Sequence, residues 1–247
     1  MITRADVFLV EKGYAASRAE AQAAIRAGHV NADGKPVSKP SQTIPENAVI
    51  EYRKPHPYVS RGALKLAAAL DRFELSPDDL ICIDVGASTG GFTEILLERG
   101  ARKVYAVDVG HGQMHAKLAA DPRVILLEGV NARDLGPTQV PEQVDAVVVD
   151  VSFIGLKLVL PAALKRMRQG AWLVALIKPQ FEAGIGKVGK GGIVKDKSVQ
   201  EEALQGIAGW LGAQLGWSVI GTMESPIAGG DGNREFLLAA KRNPSSP

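Results

Sequence analysis

The sequence has a single cysteine, few aromatic residues and no long apolar run. Cys82 lies inside a short hydrophobic segment, which excludes an internal disulfide framework and favours a reducing compartment. No stretch approaches the roughly 18 apolar residues of a membrane span. Residues 1–6 lack the apolar core of a signal peptide. We therefore expect a cytoplasmic protein without a membrane segment.

Histidine is also scarce, with four in the chain. His111 and His115 are four residues apart on a predicted helix, but no third ligand accompanies them in the sequence. We therefore expect no metal site.

A glycine-rich stretch at 184–192 imitates two nucleotide-binding motifs. Residues 184–189 match Gly-x-Gly-x-x-Gly, and residues 184–190 begin like a phosphate-binding loop. However, Gly191 stands where Mg²⁺ binding needs Ser or Thr, and two adjacent glycines begin a helix poorly. We interpret the stretch as a mobile basic lid near the site. Its lysines are Lys187, Lys190, Lys195 and Lys197.

The positive charge is concentrated near the start of the chain. Residues 1–57 contain eight basic and six acidic residues, which accounts for the whole net charge of +2. A mildly basic unit beside a neutral one favours a surface that faces a polyanion. The candidate residues for binding a polyanion such as a nucleic acid are Arg4, Lys12, Arg18, Arg26, Lys35 and Lys39.

Turn and capping signals divide the chain into two domains. Residues 55–59 are predicted to link a small α+β domain, 1–54, to a larger domain, 60–247. In the small domain we expect a short helix over 6–11 and a second helix over 18–27. Ser17 and Glu20 form a capping box for the second helix. A hairpin turning at 33–34 and a strand over 49–52 complete the domain.

In the larger domain, a helix is expected to follow Ser60, and strands then alternate with helices. Strands are predicted at 80–84, 103–108, 124–128, 145–150, 171–177, 217–223 and 235–241. Helices are predicted at 91–99, 111–120, 156–168 and 198–215. This order predicts an α/β Rossmann-like fold with a mostly parallel seven-stranded sheet. The last two strands have no helix between them and are expected to form an antiparallel hairpin.

A glycine turn follows the first of these strands and suggests a nucleoside cofactor. Ser88 stands where a dinucleotide-binding turn has its second glycine, which argues against a pyrophosphate. Asp108 ends the next strand and can accept hydrogen bonds from ribose hydroxyls, and Asn131 is placed to border an adenine. The candidate cofactor-binding residues are Asp84, Gly86, Ala87, Ser88, Thr89, Gly91, Phe92, Asp108, Val109, Asn131 and Asp150.

Two lysines and two carboxylates occupy special positions in the predicted fold. Asp150 and Lys178 end strands, at the edge of a parallel sheet where ligands bind. Lys65 interrupts an apolar helix, and Glu235 begins the last strand. Any reaction in which an alcohol is the nucleophile requires removal of the alcohol proton. A deprotonated lysine can assist, and carboxylates can orient it. These four are the candidate catalytic residues.

Several motifs in this order resemble known families. The turn resembles motif I of S-adenosylmethionine-dependent methyltransferases, and the Lys-Asp-Lys-Glu set is similar to the tetrad of FtsJ-like RNA ribose 2′-O-methyltransferases. The larger domain resembles the TlyA (hemolysin A) family, and the small domain resembles an S4 RNA-binding domain. The matching stretches are SRGALKL (60–66), DVGASTGGFT (84–93), DVGHGQ (108–113), DVSFI (150–154), LIKPQFEAG (176–184) and GNREF (232–236), together with DVFLV (6–10), SRAEAQAAIRAGHV (17–30) and KPVSKP (35–40).

The resemblance implies S-adenosylmethionine as cofactor, and ribosomal subunits as partner. It also implies methylation of ribose 2′-OH groups of ribosomal RNA, at cytidine in 16S RNA, 23S RNA or both. Lys178 would be the central catalytic lysine, supported by Lys65, Asp150 and Glu235. Two alternatives stay open at this stage. One is a membrane-active hemolysin, and the other is an RNA-binding protein with an inactive methyltransferase fold. The oligomeric state, monomer or dimer, is also open.

Overall fold

The computed structural model describes residues 2–15, 17–54, 56–184 and 186–244. The chain forms two compact units, residues 1–57 and 58–247. The division falls inside the predicted linker 55–59, whose Pro55 lies outside the described residues; the linker itself stays a prediction. Within the described part of the chain, none of the helices has the length and apolar character needed to cross a bilayer.

The N-terminal unit contains two helices and two small antiparallel sheets. Its elements are β1 (Ile2–Arg4), α1 (Ala5–Glu11), α2 (Arg18–Arg26), β2 (Val30–Ala32), β3 (Lys35–Pro36), β4 (Thr43–Pro45) and β5 (Ile50–Tyr52). β1 pairs with β4, and β2 lies between β3 and β5. The predicted helices, hairpin and closing strand are confirmed, whereas β1 and β4 were not predicted. The Glu20 N–H donates to Ser17 Oγ at 3.2 Å, so Ser17 caps α2 as expected.

The C-terminal unit is built around one large sheet. Its strands are β6 (Ile81–Val85), β7 (Lys103–Asp108), β8 (Val124–Glu128), β9 (Val144–Val149), β10 (Met167–Ile177), β11 (Trp217–Glu224) and β12 (Phe236–Arg242). Its helices are α3 (Gly62–Arg72), α4 (Gly91–Glu98), α5 (Ala116–Ala119), α6 (Leu156–Arg166), α7 (Pro179–Glu182) and α8 (Lys197–Gly212).

The strand order in this sheet is β11-β12-β10-β9-β6-β7-β8. The five strands from β6 to β10 run parallel, and β12 pairs antiparallel with both β10 and β11. The predicted parallel sheet with a terminal antiparallel hairpin is therefore confirmed. The chain proceeds from β6 to one side of the sheet and later returns to the other side. This reversal opens a crevice at the carboxyl ends of β6 and β9.

Apolar residues cover both faces of the sheet, as a doubly wound fold requires. One cluster packs α6 and α8 against one face, and a second packs α3 and α4 against the other. Alternate residues of one strand serve the two clusters: Ile83 belongs to the first, and Cys82 to the second. The central strands are fully buried, so their ends are held rigidly.

The predicted helix over 111–120 is wrong. Only the four residues of α5 are helical, and the stretch before it is an irregular loop. Asp108 Oδ1 accepts the Gly110 N–H at 2.8 Å, and Gly112 adopts a φ of 63°. The hydrogen bond at Gly110 and the positive φ at Gly112 turn the chain at these glycines, whereas the apolar pattern alone did not indicate a turn.

Two other helix ends differ from the prediction. α6 ends at Arg166 rather than at 168, because β10 begins at once with Met167. α8 ends at Gly212 rather than at 215. Neither difference moves a candidate site residue.

Candidate active site

The glycine turn lies tightly against the end of β9. Gly86 has a φ of 82°, and a β-carbon built on it would lie 2.3 Å from the backbone oxygen of Asp150. A β-carbon on Gly91 would lie 2.2 Å from Ser60 Oγ, a side-chain atom, and 3.0 Å from the backbone nitrogen of Ala63. Glycine is therefore required on steric grounds at Gly86, where the nearest atom is backbone and φ is positive. The close packing brings Asp150 next to the turn.

Asp84 lies beneath the turn and is completely buried. Its Oδ2 accepts a hydrogen bond from Thr93 Oγ1 at 2.7 Å, and its Oδ1 has no hydrogen-bond partner among the described residues. Burial, with a smaller contribution from the charge of Asp150, raises the pKa of this carboxyl to about 7, although the bond from Thr93 opposes the rise. Asp84 thus anchors α4 to β6.

Asp108 links the first two strand ends. Its Oδ2 accepts the Ser88 N–H and its Oδ1 accepts the Gly110 N–H, both at 2.8 Å. Ser88 Oγ also donates to Gln113 Oε1 at 3.1 Å. The side chain of Asp108 is therefore held in one orientation beside the turn.

A cleft of about 400 Å³ opens along the carboxyl ends of β6 to β9. Its volume lies in the range of small-molecule sites. Six of the predicted cofactor-binding residues line it: Gly86, Ser88, Asp108, Val109, Asn131 and Asp150. The other five, Asp84, Ala87, Thr89, Gly91 and Phe92, are not in its wall. They form the turn, or lie under it, and support the residues that face the cleft.

Lys178 lies at the end of β10 and pairs with Asp150. Lys178 Nζ is 2.6 Å from Asp150 Oδ1 and donates to Ser152 Oγ at 2.8 Å. The Lys178 side chain is 11% exposed, and the Asp150 side chain is 22% exposed. The amine is therefore nearly enclosed, while its carboxylate partner also lines the cleft. Ser152 was not among the predicted site residues.

Lys65 forms a second, more deeply buried pair with Glu235. Lys65 Nζ donates to Glu235 Oε2 at 2.5 Å, and the two side chains are 10% and 4% exposed. Such a pair is costly to disrupt, because removing one partner leaves a buried charge without compensation.

The sheet register brings the two pairs together. Ile177 and Phe236 are the last residues paired between β10 and β12, so Lys178 and Glu235 follow at facing positions. A β-carbon on Gly62, one turn before Lys65 on α3, would lie 3.8 Å from Asp150 Oδ2. The four predicted catalytic residues thus meet where β9, β10, β12 and α3 converge.

Asn233 was missed by the sequence analysis. It is 1% exposed, and its Oδ1 accepts the Val194 N–H at 2.9 Å. Its Nδ2 donates to the backbone oxygen of Gly192 and to Asp231 Oδ2, both at 2.8 Å. It therefore fastens the end of the glycine-rich stretch to the loop that precedes Glu235. Two of its partners, Val194 and Gly192, lie about forty positions away in sequence and give no local signal.

Phe153, also missed, lies at the rim of the cleft. Its side chain is 90% exposed, its φ is 64°, and its ring centroid is 5.0 Å from that of Phe181. A bulky residue rarely adopts a left-handed conformation. Exposed aromatic side chains in strained loops occur at functional sites. The exposure could not be predicted, because aromatic residues in short apolar motifs usually pack in the core.

The six predicted RNA-binding residues of the N-terminal unit are all exposed. Arg4 and Arg18 both pair with Asp6, at 3.0 and 2.9 Å. Lys12 lies 4.0 Å from Glu46, and Arg26 donates to Gln22 at 3.4 Å. Lys35 and Lys39 lie on the β2–β3 hairpin and after it.

Across the described ranges, no group of three or more His, Cys, Asp or Glu side chains could hold a metal ion. In the predicted basic lid, Lys187 Nζ lies 2.6 Å from Glu202 Oε2 on α8. The lid itself stays a prediction, and Ile185 lies outside the described residues.

The fold and the strand-end residues correspond to a known class of enzyme. The family profile of the FtsJ-like methyltransferases matches residues 58–242, and that of the S4 domain matches residues 3–50. The chain is an FtsJ-like methyltransferase with an N-terminal S4 domain.

Within this class, the chain belongs to the TlyA family. It is 44% identical over 237 residues to the 16S/23S rRNA (cytidine-2′-O)-methyltransferase TlyA of Mycobacterium tuberculosis, covering 95% of this chain and 88% of that protein. It is 40% identical to Hemolysin A of Brachyspira hyodysenteriae, covering 95% and 98% of the two chains. A solved structure from Streptococcus thermophilus, provisionally named a hemolysin, is 41% identical with a TM-score of 0.79, covering 100% and 90%.

Proposed function

We propose that this protein transfers a methyl group from S-adenosylmethionine to a ribose 2′-OH of ribosomal RNA. The observation that carries the proposal is the convergence of the Lys178–Asp150 and Lys65–Glu235 pairs beside the cleft. The name of the Mycobacterium tuberculosis relative specifies cytidine in 16S and 23S rRNA, and we extend that target class to this chain.

The cleft has the chemistry that S-adenosylmethionine needs. Asp108 has two carboxylate oxygens, and each accepts one backbone N–H, so further lone pairs remain for the two ribose hydroxyls. Asn131 and Val109 would border the adenine, and the small residues of the turn leave room for the methionine part. With a pKa of about 7, Asp84 is partly ionised at neutral pH, and its negative charge beneath the turn favours a cationic ligand above it.

The tetrad would hold the acceptor and remove its proton. The bound cofactor supplies an electrophilic methyl group. The Lys178 amine, once deprotonated, would accept the proton of the 2′-hydroxyl, and Asp150 would stabilise the resulting ammonium from 2.6 Å. Ser152 would fix the direction of the amine from the other side. The Lys65–Glu235 pair would close the site behind the Lys178 amine and exclude water.

Phe153 would support the base of the target nucleotide. A nucleotide whose ribose reaches Lys178 has to leave its stack, and an exposed aromatic ring offers a replacement face for the base. The ring stands at the rim of the cleft, three residues after Asp150, and Phe181 supports it from one side. The S4 domain would supply affinity for the surrounding RNA through its exposed basic residues.

The test is transfer of tritium from labelled S-adenosylmethionine to purified 30S and 50S ribosomal subunits. We expect the unchanged protein to label at least one subunit, and Lys178→Ala to abolish labelling while keeping cofactor affinity in calorimetry. Lys165→Ala, which removes an exposed lysine in the last turn of α6 and outside the tetrad, serves as the control and should retain activity. A folded Lys178→Ala protein that methylates at the normal rate would refute the assigned role.

The hemolysin name of some relatives raises a second function, damage to membranes. Purified protein added to dye-loaded liposomes tests it directly. We expect no leakage above the buffer control. Leakage that survives Lys178→Ala would establish a membrane activity separate from methyl transfer.

A further inference from the structure

A completely buried carboxylate in the S4 domain holds two arginines. Asp6 is 0% exposed and lies in the first turn of α1. Its Oδ1 accepts Arg4 Nε at 3.0 Å, and its Oδ2 accepts Arg4 Nη2 at 3.1 Å, Arg18 Nη2 at 2.9 Å and Gln22 Nε2 at 2.8 Å. One side chain thus ties together β1, α1 and α2. These contacts, with Arg4 as the largest contributor, keep the pKa of the Asp6 carboxyl far below its usual value despite burial.

The arginines themselves are not buried. The side chain of Arg4 is 49% exposed and that of Arg18 is 58% exposed. A guanidinium has five N–H donors, and the bonds to Asp6 use two from Arg4 and one from Arg18. Both groups therefore remain accessible to a second anion while one edge of each is held in place.

We propose that Asp6 is a positioning residue for RNA binding, which holds Arg4 and Arg18 as a pair that grips the phosphate backbone. The proposal rests on the RNA-binding function proposed above. A free arginine loses much side-chain entropy when it contacts a phosphate, and a guanidinium that is already oriented loses less. Two oriented guanidiniums side by side also suit bidentate contacts with phosphate oxygens. The buried carboxylate is thus part of the RNA-binding surface without touching RNA.

For the variant Asp6→Asn, the proposal predicts a change in RNA affinity opposite in sign to the change predicted from net charge alone. Asp6→Asn removes a negative charge from a unit whose net charge is +2 and would raise that charge to +3. If overall charge governs affinity, this variant binds RNA more tightly. If orientation of the two arginines governs affinity, it binds more weakly, although no basic residue has been lost. One measurement therefore separates the two explanations.

The experiment compares the full chain, Asp6→Asn and Glu11→Gln in filter binding to purified 30S and 50S subunits over a range of salt concentrations. Glu11 is an exposed acid on the same helix, and its change adds the same charge. We expect Glu11→Gln to bind as tightly as the unchanged protein or slightly more tightly. Asp6→Asn should weaken binding on the order of tenfold, and its log K against log salt slope should fall by about one to two units, the loss of one or two phosphate contacts.

A second variant guards against a merely structural role of Asp6. In the Arg4→Lys, Arg18→Lys double variant the charges and Asp6 remain, but the planar forks are lost. We expect this variant to fold normally and to bind as weakly as Asp6→Asn. Adding Asp6→Asn to it should then weaken binding little further, because the same contacts are already gone.

Two results would overturn the inference. One is Asp6→Asn binding as tightly as Glu11→Gln. The other is an equal loss from Asp6→Asn with and without the two lysine substitutions. Failure of the unchanged protein to bind either subunit would instead contradict the proposed function itself. The two failures are therefore distinguishable.

Discussion

Gly86 packs so closely against the backbone of Asp150 that a β-carbon on Gly86 would lie 2.3 Å from the backbone oxygen of Asp150. Gly86→Ala should therefore push the turn away from β9, and the positive φ of 82° adds backbone strain. Overpacking and strain together should lower the free energy of unfolding by about 2–5 kcal/mol. Binding of S-adenosylmethionine should fall as well, which calorimetry would measure.

Gly216→Ala is the matched control for this change. Gly216 has a φ of 79°, but a β-carbon on it would have no heavy atom within 4 Å. The variant should lose only about 1 kcal/mol from strain and keep its cofactor affinity. Equal losses in the two variants would show that the contact with Asp150 is unimportant.

Asp84 should make the stability of the protein depend on pH. Its pKa is about 7 in the folded protein against 3.8 unfolded, so the folded state binds the proton more tightly. Its stabilising contribution is complete below pH 3.8 and is lost as pH rises toward 7, at up to about 1.4 kcal/mol per pH unit. Asp84→Asn should flatten this part of the stability curve. Urea unfolding from pH 4.5 to 7.5 would measure both proteins, and parallel curves would contradict the assignment.

Asn233 should affect the rate of methyl transfer more than the binding of the cofactor. Asn233→Ala leaves the Val194 N–H and the Gly192 oxygen without their partner, at about 1–3 kcal/mol of stability for each buried group. The loop before Glu235 then loosens, and we expect kcat to fall at least tenfold because Glu235 no longer holds Lys65 firmly.

Cofactor affinity should be unchanged in this variant, since Asn233 does not line the cleft. Asn243→Ala, which removes an exposed bond to Ser218 at 3.0 Å, is the control and should have normal kcat. A large loss of cofactor affinity with normal kcat would contradict the positioning role. Asn233→Gln should keep little more of the kcat than Asn233→Ala, because the buried space is shaped for the shorter side chain of asparagine.

Phe153→Gly should lower the methyltransferase activity while changing the stability of the fold little. Glycine relieves the left-handed strain, while loss of the contact with Phe181 costs about 0.5–1.5 kcal/mol. The free energy of unfolding should therefore change little. The KM for ribosomal subunits should rise and kcat should fall, because the target base loses its stacking partner. Steady-state kinetics and urea unfolding measure the two effects, and unchanged kinetics would remove Phe153 from the RNA-binding site.

The sequence predicted the sheet, and the meeting of strand-end residues at one of its edges, because both depend on local patterns. Alternating strands and helices dictate a parallel sheet, and polar residues at strand ends, such as Asp150 and Lys178, must meet at one edge. The pairing of Lys65 with Glu235 could not be derived in this way. The position of Glu235 depends on the register of β12 against β10, which arises from packing across distant parts of the chain.

Other features lacked any local signal. β1 and β4 are three residues each and pair across about forty positions, so no periodicity could reveal them. The helix predicted over 111–120 was wrong because the carboxylates of Asp108 and Glu128 accept the N–H groups of Gly110 and Gly112, which holds the chain in a loop. The buried Asn233 side chain forms hydrogen bonds with backbone groups of distant residues. The position of a backbone group in the fold cannot be inferred from the residue type.

The place of β12 in the sheet has a consequence for biosynthesis. β12 follows all other described strands in the chain, yet it fills an interior position between β10 and β11 and carries Glu235 at its start. Ribosomes make and fold chains from the N-terminal side. During synthesis, β10 therefore lacks β12 as its neighbouring strand, and Lys65 lacks Glu235 as its ion-pair partner. The Lys65–Glu235 pair can therefore form only after β12 has been synthesised, late in translation of the described chain.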